Sequence, residues 1–229
     1  MKTSRERIHL AIWLFCHLAI WSSVRSALLS WHMTAFSPDG LPQGRIAGAE
    51  AAFFQEAVSF AARAHRHQLR KDGRTPYVAH VIRVAMTVSW VFGCNDRVAL
   101  LAALLHDTIE DTTTDYDDIA ERFGVAVADC VAGLTKNMAM PEEPREAEYD
   151  ARIARSPWQV RLVKLADVYE NLCDVGDLPE PKQAETRHKA LDKARRAIVL
   201  AAADRAMNPH IARACDALEH LMNRVTAQT

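Results

Sequence analysis

Four residues able to carry chemistry follow directly on an apolar run. Residues 98–105 are all apolar, and they lead into His106 and Asp107, with Glu110 and Asp111 one helical turn later. In a helix, residues three and four apart lie on the same face, so these side chains can share one pocket. Ionised carboxylates at a buried helix are costly unless their charge is compensated. Exposure in a wet cleft, pairing with Arg or Lys, and a metal ion are the three ways to compensate it.

A metal ion is favoured because imidazole and carboxylate groups are common metal ligands, and an adjacent His-Asp pair can share one ion at a helix bend. Two distant segments supply further ligands: His80 lies just inside a mostly apolar helix, and Asp167 lies in RLVKLADVYENL, with Asn171 one turn further on. Alone, such a histidine is typical of a satisfied core or surface residue, and such an aspartate of an ion-pair partner. The joint pattern H…HDxxED…KLADxxxN is what indicates a functional site.

This pattern resembles the HD-domain metal-dependent phosphohydrolases. Within them it is most similar to the hydrolase domain of RelA/SpoT-type alarmone enzymes and their small stand-alone SpoT-like relatives. The segments that carry the resemblance are HRHQLRKDGRTPYVAH, LLHDTIEDT and LVKLADVYENL, all within residues 50–178. The resemblance implies an all-α HD-domain helical bundle. It also implies that the protein removes pyrophosphate from the 3′ position of ppGpp or pppGpp.

The resemblance further implies a role for each matching residue. One metal ion, usually Mn²⁺, would be bound by His80, His106, Asp107 and Asp167. The attacking water and proton transfer would be served by Glu110 and Asp111. The guanosine nucleotide would be contacted by Arg70, Lys71 and Asn171. Two imidazoles and two carboxylates are harder ligands than thiolates, which suits Mn²⁺, Fe²⁺ or another divalent ion better than structural zinc.

Two positions depart from the family pattern. Val81 follows His80 where the family usually has proline, and Val168 follows Asp167 where it often has a basic residue. Neither position is a predicted ligand, so metal binding should survive, and any effect of these departures falls on substrate preference.

Three other functions compete with alarmone hydrolysis. Cyclic-nucleotide phosphodiesterases of the HD class bind two metals through additional histidines, and residues 108–166 contain none. A phosphatase or pyrophosphatase that acts on another nucleotide, such as a nucleoside monophosphate or NADPH, is a nearer alternative. A non-catalytic nucleotide sensor is the third, and retention of every predicted ligand and acidic residue argues against it.

The elements that would position these residues are all predicted to be helices. Apolar spacing at i, i+3, i+4 and i+7 begins near Glu50. Caps and first-turn prolines predict the remaining helix starts at Thr75-Pro76, Asn95, Thr114, Ser156-Pro157 and Asn208-Pro209. One continuous helix is expected over residues 96–110, and a loop followed by a long helix over residues 178–206. Alternating runs bounded by hairpin turns are lacking, so the predicted class is all-α.

The predicted division is an N-terminal extension at residues 1–49 and an HD hydrolase domain at residues 50–229. The domain has its motif core at residues 50–178 and C-terminal helices at residues 182–226. In the extension, basic MKTSRER precedes residues 8–21, which are mostly apolar but are interrupted by His9 and His17. This run is short for a bilayer span, and no clear cleavage site follows it. Translation from Met33, a membrane-touching or exported segment, and a docked helix all stay open.

The composition is that of an ordinary globular protein, with 229 residues, 49% hydrophobic and 25% charged. A formal net charge of −1 gives no indication of a nucleic-acid partner. The five cysteines are scattered singly, which suits a reducing cytoplasm. The family resemblance implies the guanine nucleotide substrate as the partner, the cysteine pattern favours the cytoplasm, and the oligomeric state is left open.

Overall fold

The structure is a computed structural model that describes residues 48–227, and all regular structure in that range is helical. The helices in chain order are α1 (Gly48–Ala64), α2 (Val78–Met86), α3 (Arg97–Leu105), α4 (Thr108–Asp111), α5 (Tyr116–Phe123), α6 (Val125–Leu134), α7 (Glu142–Arg155), α8 (Trp158–Cys173), α9 (Glu180–Arg205) and α10 (Pro209–Ala227). A π-helical turn, Thr87–Val91, follows α2, and a 3₁₀ turn, Asp174–Asp177, follows α8. A single isolated bridge joins Leu69 and Pro76. The predicted all-α class is confirmed.

Helices α3 and α8 form the centre of the bundle. Helix α8 packs against α2, α3, α6, α7, α9 and α10, and α3 packs against α1, α2, α6 and α8. Their contacting side chains, such as Leu101 and Leu105 on α3 and Leu162 and Leu165 on α8, are fully buried. Because close-packed interiors resist movement, residues carried by these two helices are held in fixed relative positions.

The predicted continuous helix over residues 96–110 is wrong, because the chain bends after α3. The Thr108 hydroxyl donates to the carbonyl of Leu105 at 2.7 Å, and the His106 ring donates through Nδ1 to the carbonyl of Ala103 at 2.8 Å. These side chains satisfy carbonyls that backbone N–H groups would otherwise take. Asp107 has φ −99° and ψ −1°, and its carbonyl accepts from Asp111 N–H at 2.9 Å. The bend thus lies at the His-Asp pair.

Two predicted caps are shifted by one residue. Asp96, not Asn95, caps α3, and its carboxylate accepts from Ala99 N–H at 2.9 Å. Asp115, not Thr114, caps α5 in a reciprocal capping box with Asp118. In both cases the carboxylate that stands nearest the first helical turn takes the capping role.

The Asn-Pro start of α10 is confirmed, since the Asn208 side chain accepts from His210 N–H at 2.9 Å. Helix α2 begins at Val78, two residues after Pro76, and α8 begins at Trp158 after Pro157, both without a side-chain cap.

No helix within residues 48–227 is long and apolar enough to cross a membrane. The alternatives for the N-terminal extension concern residues that lie outside the described range.

Candidate metal centre and nucleotide cleft

Four predicted ligands come together where α2, α8 and the bend after α3 meet. The Nε2 atoms of His80 and His106 and a carboxylate oxygen of Asp167 all lie within 4.8 Å of one another. Asp107 Oδ2 lies 3.0 Å from His106 Nε2 and 3.6 Å from His80 Nε2. Ligand atoms about 2.1 Å from one shared ion stand roughly 3 to 4 Å apart, so the residues fit a mononuclear metal site.

His106 gives the clearest indication of a cation. Its Nδ1 donates to the Ala103 carbonyl, so the neutral ring has a lone pair on Nε2, and that atom is buried without a hydrogen-bond partner. His106 Nε2 lies 3.0 Å from Asp107 Oδ2, and in this state both atoms are hydrogen-bond acceptors. Buried polar atoms are seldom left unsatisfied, so a proton or a metal ion is required between them.

The imidazole of His80 is oriented by Glu170, a residue that the sequence did not predict as part of the site. His80 Nδ1 donates to Glu170, a carboxylate that is only 4% exposed. Such an outer carboxylate sets the tautomer of a metal-binding histidine and leaves Nε2 free to face the ion. Burial by itself lowers the pKa of His80, but Asp107, Asp167 and Glu170 outweigh it and raise the pKa to about 11. The centre therefore attracts positive charge strongly.

Tyr77 is a second residue that the sequence analysis missed. Its hydroxyl donates to Asp107 Oδ2 at 2.6 Å, and its ring packs on His65 with centroids 4.8 Å apart. Burial, and then the charge of Asp107, raises the pKa of Tyr77 far above its usual range, so the phenol stays protonated. The contact restrains the orientation of the Asp107 carboxylate.

The carboxylate of Asp167 is held by side chains of its own helix, α8. Asp167 accepts from Lys164 Nζ at 2.9 Å and from Asn171 Nδ2 at 2.6 Å. Burial raises its pKa, but Lys164 and the two histidines outweigh burial and hold the pKa well below its usual range. Asp167 is therefore ionised and anchored on both sides.

The two predicted acid–base residues occupy different surroundings. Glu110 is half-buried, and its carboxylate accepts from the backbone N–H of Lys136 at 2.7 Å. Asp111 is more exposed than Glu110, although neighbouring protein covers part of its carboxyl group, and its backbone carbonyl accepts from Gln68 Nε2 at 2.7 Å. Burial raises the pKa of both carboxyl groups, and repulsion from Asp107 adds to the rise.

Arg70, one of the three residues predicted to contact the nucleotide, is buried and not an open surface cation. It is 8% exposed and forms ion pairs with Glu170 at 3.0 Å and Asp174 at 2.9 Å. Its Nη2 also donates to Asn171 Oδ1 at 2.9 Å. Arg83 forms ion pairs with the same two acids. The two arginines and two acids therefore form an ion-pair cluster on the Nδ1 side of His80.

Two open spaces adjoin the centre. The larger, about 1000 Å³ between α8 and α9, is here named the lysine cleft after its cations Lys71, Lys164, Lys182, Lys189 and Lys193. It includes Asp167 and Asn171 in its wall. A smaller cavity of about 390 Å³ is lined in part by Arg70 and Asp174 and shares Lys71 and Asn171 with the cleft.

Comparison with known families is consistent with this geometry. A sequence model of the HD domain matches residues 57–193, which include every residue of the centre. The chain belongs to the HD-domain family.

Individual relatives of this HD-domain protein carry closely similar names. The human guanosine-3′,5′-bis(diphosphate) 3′-pyrophosphohydrolase MESH1 is 43% identical over 129 residues, which are 56% of this chain and 72% of that protein. MESH1 of Drosophila melanogaster is 38% identical over 126 residues, which are 55% of this chain and 70% of that protein. The guanosine-3′,5′-bis(diphosphate) 3′-pyrophosphohydrolase of Aquifex aeolicus (strain VF5) is 35% identical over 142 residues, which are 60% of this chain but 20% of that protein.

A solved structure is similar over most of the chain. It is described as a metazoan ortholog of SpoT that hydrolyzes ppGpp and plays a role in starvation responses. The TM-score is 0.63 at 31% identity, covering 77% of this chain and 95% of that one. The relationship to small stand-alone SpoT-like hydrolases that the motifs predict is confirmed.

Proposed function

We propose that this protein hydrolyses ppGpp and pppGpp at the 3′-diphosphate and releases pyrophosphate. The observation that carries the proposal is the buried, unpartnered Nε2 of His106 facing two carboxylates, in a chain whose relatives are named as 3′-pyrophosphohydrolases of this nucleotide. The names of these relatives favour neither a phosphatase for other nucleotides nor a sensor.

The proposed ligands of a single divalent ion are His80, His106, Asp107 and Asp167. Mn²⁺ is the proposed ion, with Fe²⁺ or another divalent ion as the alternative, because the donors are imidazole nitrogens and carboxylate oxygens. When bound, such an ion polarises a phosphoryl oxygen and lowers the pKa of a water molecule. The surrounding residues keep the ligands oriented, since Glu170 fixes His80 and Tyr77 fixes Asp107.

Glu110 and Asp111 are the proposed acid–base pair. Their raised pKa values make each carboxyl a better proton acceptor than an ordinary one near neutral pH. One would take a proton from the attacking water, and the other would return a proton to the leaving 3′-oxygen, directly or through water. Glu110 is positioned by its hydrogen bond to Lys136 N–H, and Asp111 by the one its carbonyl accepts from Gln68.

Arg70, Lys71 and Asn171 are proposed to contact the guanosine nucleotide. Lys71 and Asn171 line both the smaller cavity and the lysine cleft, next to Asp167. Arg70 lines the smaller cavity, and a planar guanidinium there would offer a surface on which a base can stack. The ion pairs of Arg70 with Glu170 and Asp174 would hold that plane in place.

The cytoplasm is the proposed location. Cys94, Cys130, Cys173 and Cys215 are free thiols in the described residues, as expected in a reducing compartment.

A panel of nucleotides tests this function. Full-length protein with Mn²⁺ is incubated separately with ppGpp, pppGpp, a nucleoside monophosphate and NADPH, and released pyrophosphate and phosphate are both quantified. We expect pyrophosphate from the first two substrates and little phosphate from the others. Faster release of phosphate from a monophosphate or NADPH would replace the proposal, and binding of ppGpp without turnover would indicate a sensor.

A further inference from the structure

Lysines are distributed unevenly in this chain. The sequence has seven lysines among 28 Lys and Arg residues, and all but Lys2 lie within residues 48–227. Five of these line the lysine cleft, and the sixth, Lys136, lines an adjacent space that also includes Lys164 and Lys193. Every lysine of the described range therefore lines one of two spaces, and both spaces include Lys164 and Lys193.

Helix α9 contributes three of these cations as one stripe. Lys182, Lys189 and Lys193 are separated by seven and four residues, so their side chains lie on one face of the helix. Thr186 completes the stripe and also lines the cleft. The stripe faces α8 and the loop that carries Lys71. It does not stand out in the sequence, because α9 carries many other charges.

The positive charge of the cleft is only partly neutralised by the protein. Lys164 pairs with Asp167, and Lys189 pairs with Glu185 at 2.6 Å. Lys71, Lys182 and Lys193 have no carboxylate within ion-pair distance among the described residues. These three lysines of the cleft are therefore left available for an anion.

Among the unpaired lysines, Lys193 has the most other lysines around it. Its side chain is exposed to the cleft, yet protein around it displaces enough water to lower its pKa, and repulsion from Lys164, Lys136 and Lys71 adds to the decrease. Like charges gathered without partners are unfavourable unless an anion is bound between them. A lysine ammonium is a flexible point charge, suited to phosphate groups of variable number.

We infer that the lysine cleft binds the 5′-diphosphate or 5′-triphosphate of the nucleotide while the 3′-diphosphate lies at the centre. This rests on the proposed function, because it assigns the second phosphate chain of the same substrate. Asp167 belongs both to the centre and to the cleft wall, so the cleft opens directly at the reacting end. Lys182, Lys189 and Lys193 then determine specificity for guanosine that carries phosphates on both sides of the ribose.

The kinetic test compares Lys193→Met with Arg195→Met. Arg195 lies on the same helix, is exposed, pairs with Asp192 and does not line the cleft. We expect Lys193→Met to raise KM for ppGpp about tenfold, the scale of one charge-assisted contact, with kcat within about twofold. KM for guanosine 3′-diphosphate, which has no 5′-phosphates, should be unchanged, and Arg195→Met should leave both substrates unaffected. An unchanged KM for ppGpp, or an equal rise for both substrates, would overturn the inference.

A binding test separates this inference from the proposed function. GDP has no 3′-diphosphate to hydrolyse, so its binding to full-length metal-loaded protein can be measured by calorimetry whether or not ppGpp is a substrate. We expect wild-type protein to bind GDP more tightly than guanosine, and Lys182→Met/Lys193→Met to lose at least tenfold of that preference at an unchanged melting temperature. If ppGpp is not hydrolysed but the preference is lost, the cleft assignment stands alone. If the preference is unaffected, the cleft assignment is wrong even where hydrolysis is observed.

Discussion

His106 differs from most buried histidines in having one satisfied ring nitrogen and one that faces acceptors. The Ala103 carbonyl fixes Nδ1, and Asp107 faces Nε2. Burial lowers the pKa of His106, but Asp107 and Asp167 outweigh burial and raise it, so without a metal a proton would occupy the same position. Protons and metal ions therefore compete for this nitrogen.

We predict that purified protein contains about one divalent metal ion per chain and that His106→Ala contains none. The variant should lose activity while its helical circular dichroism is retained, since α3 ends before residue 106. Elemental analysis of both proteins checks the metal content. Active wild-type protein without metal, unaffected by EDTA, would contradict the ligand assignment.

The acid–base assignment is tested by isosteric amides. Glu110→Gln and Asp111→Asn should each keep the metal and the affinity for substrate but lower kcat by about 10²-fold or more, the usual scale of acid–base catalysis. In Glu110→Gln the amide oxygen can still accept from Lys136 N–H, so a structural explanation of the loss is weak. Steady-state kinetics with metal content confirmed is the measurement. Wild-type turnover in both variants would reduce the pair to a structural role.

At the residue scale, the four side chains that converge are those that the resemblance to the HD-domain family implied. Only His106 and Asp107 are neighbours in the sequence, so spacing alone could not have brought His80 and Asp167 into the set. The sequence did not predict Glu170 or Tyr77, although each lies three residues from a predicted ligand. Such spacing is common in any helix, and the contacts that give these residues their roles cross between helices. The burial of Arg70 was missed for the same reason, since its acidic partners lie about a hundred residues away.

At the scale of elements, α3 acts as a rigid support for the His-Asp bend. Leu105 immediately precedes His106 and is fully buried. We predict that Leu105→Ala destabilises the protein by about 3 kcal/mol through lost burial and a residual cavity. Leu69→Ala, at a side chain that is 52% exposed, serves as the matched control and should cost at most about 0.5 kcal/mol. Urea unfolding measures both, and equal effects would mean that α3 is not tightly packed.

Helix boundaries were less predictable than helix existence. Helices α6 and α7 were not predicted, for opposite reasons. Helix α6 (Val125–Leu134) is apolar almost all round and lacks an amphipathic stripe, whereas α7 (Glu142–Arg155) buries chiefly Tyr149 and Ile153 in a strongly polar sequence. Helix α6 packs against α3 and α8, and α7 packs against α6, α8 and α9. These contacts between helices are absent from a local sequence pattern.

At the scale of the whole molecule, the site residues all follow residue 64, and the HD-domain match begins at residue 57. The predicted division into an extension at 1–49 and a domain at 50–229 stays a prediction. We expect a chain that begins at Met33 to hydrolyse substrate at the wild-type rate, because no predicted site residue precedes it. Comparison of kcat for the two chains checks this, and a large loss of turnover would mean that the first 32 residues support the domain.

The central claim is that a single divalent ion at the four-residue centre enables removal of the 3′-diphosphate of ppGpp. The most direct measurement is the stoichiometry of pyrophosphate and GDP formed from ppGpp by metal-stripped protein before and after Mn²⁺ is restored, with His106→Ala treated in parallel. We predict one pyrophosphate and one GDP per ppGpp in wild-type protein only after Mn²⁺ is added, and neither product from the variant. Metal-independent hydrolysis, or release of single phosphates in place of pyrophosphate, would contradict the claim.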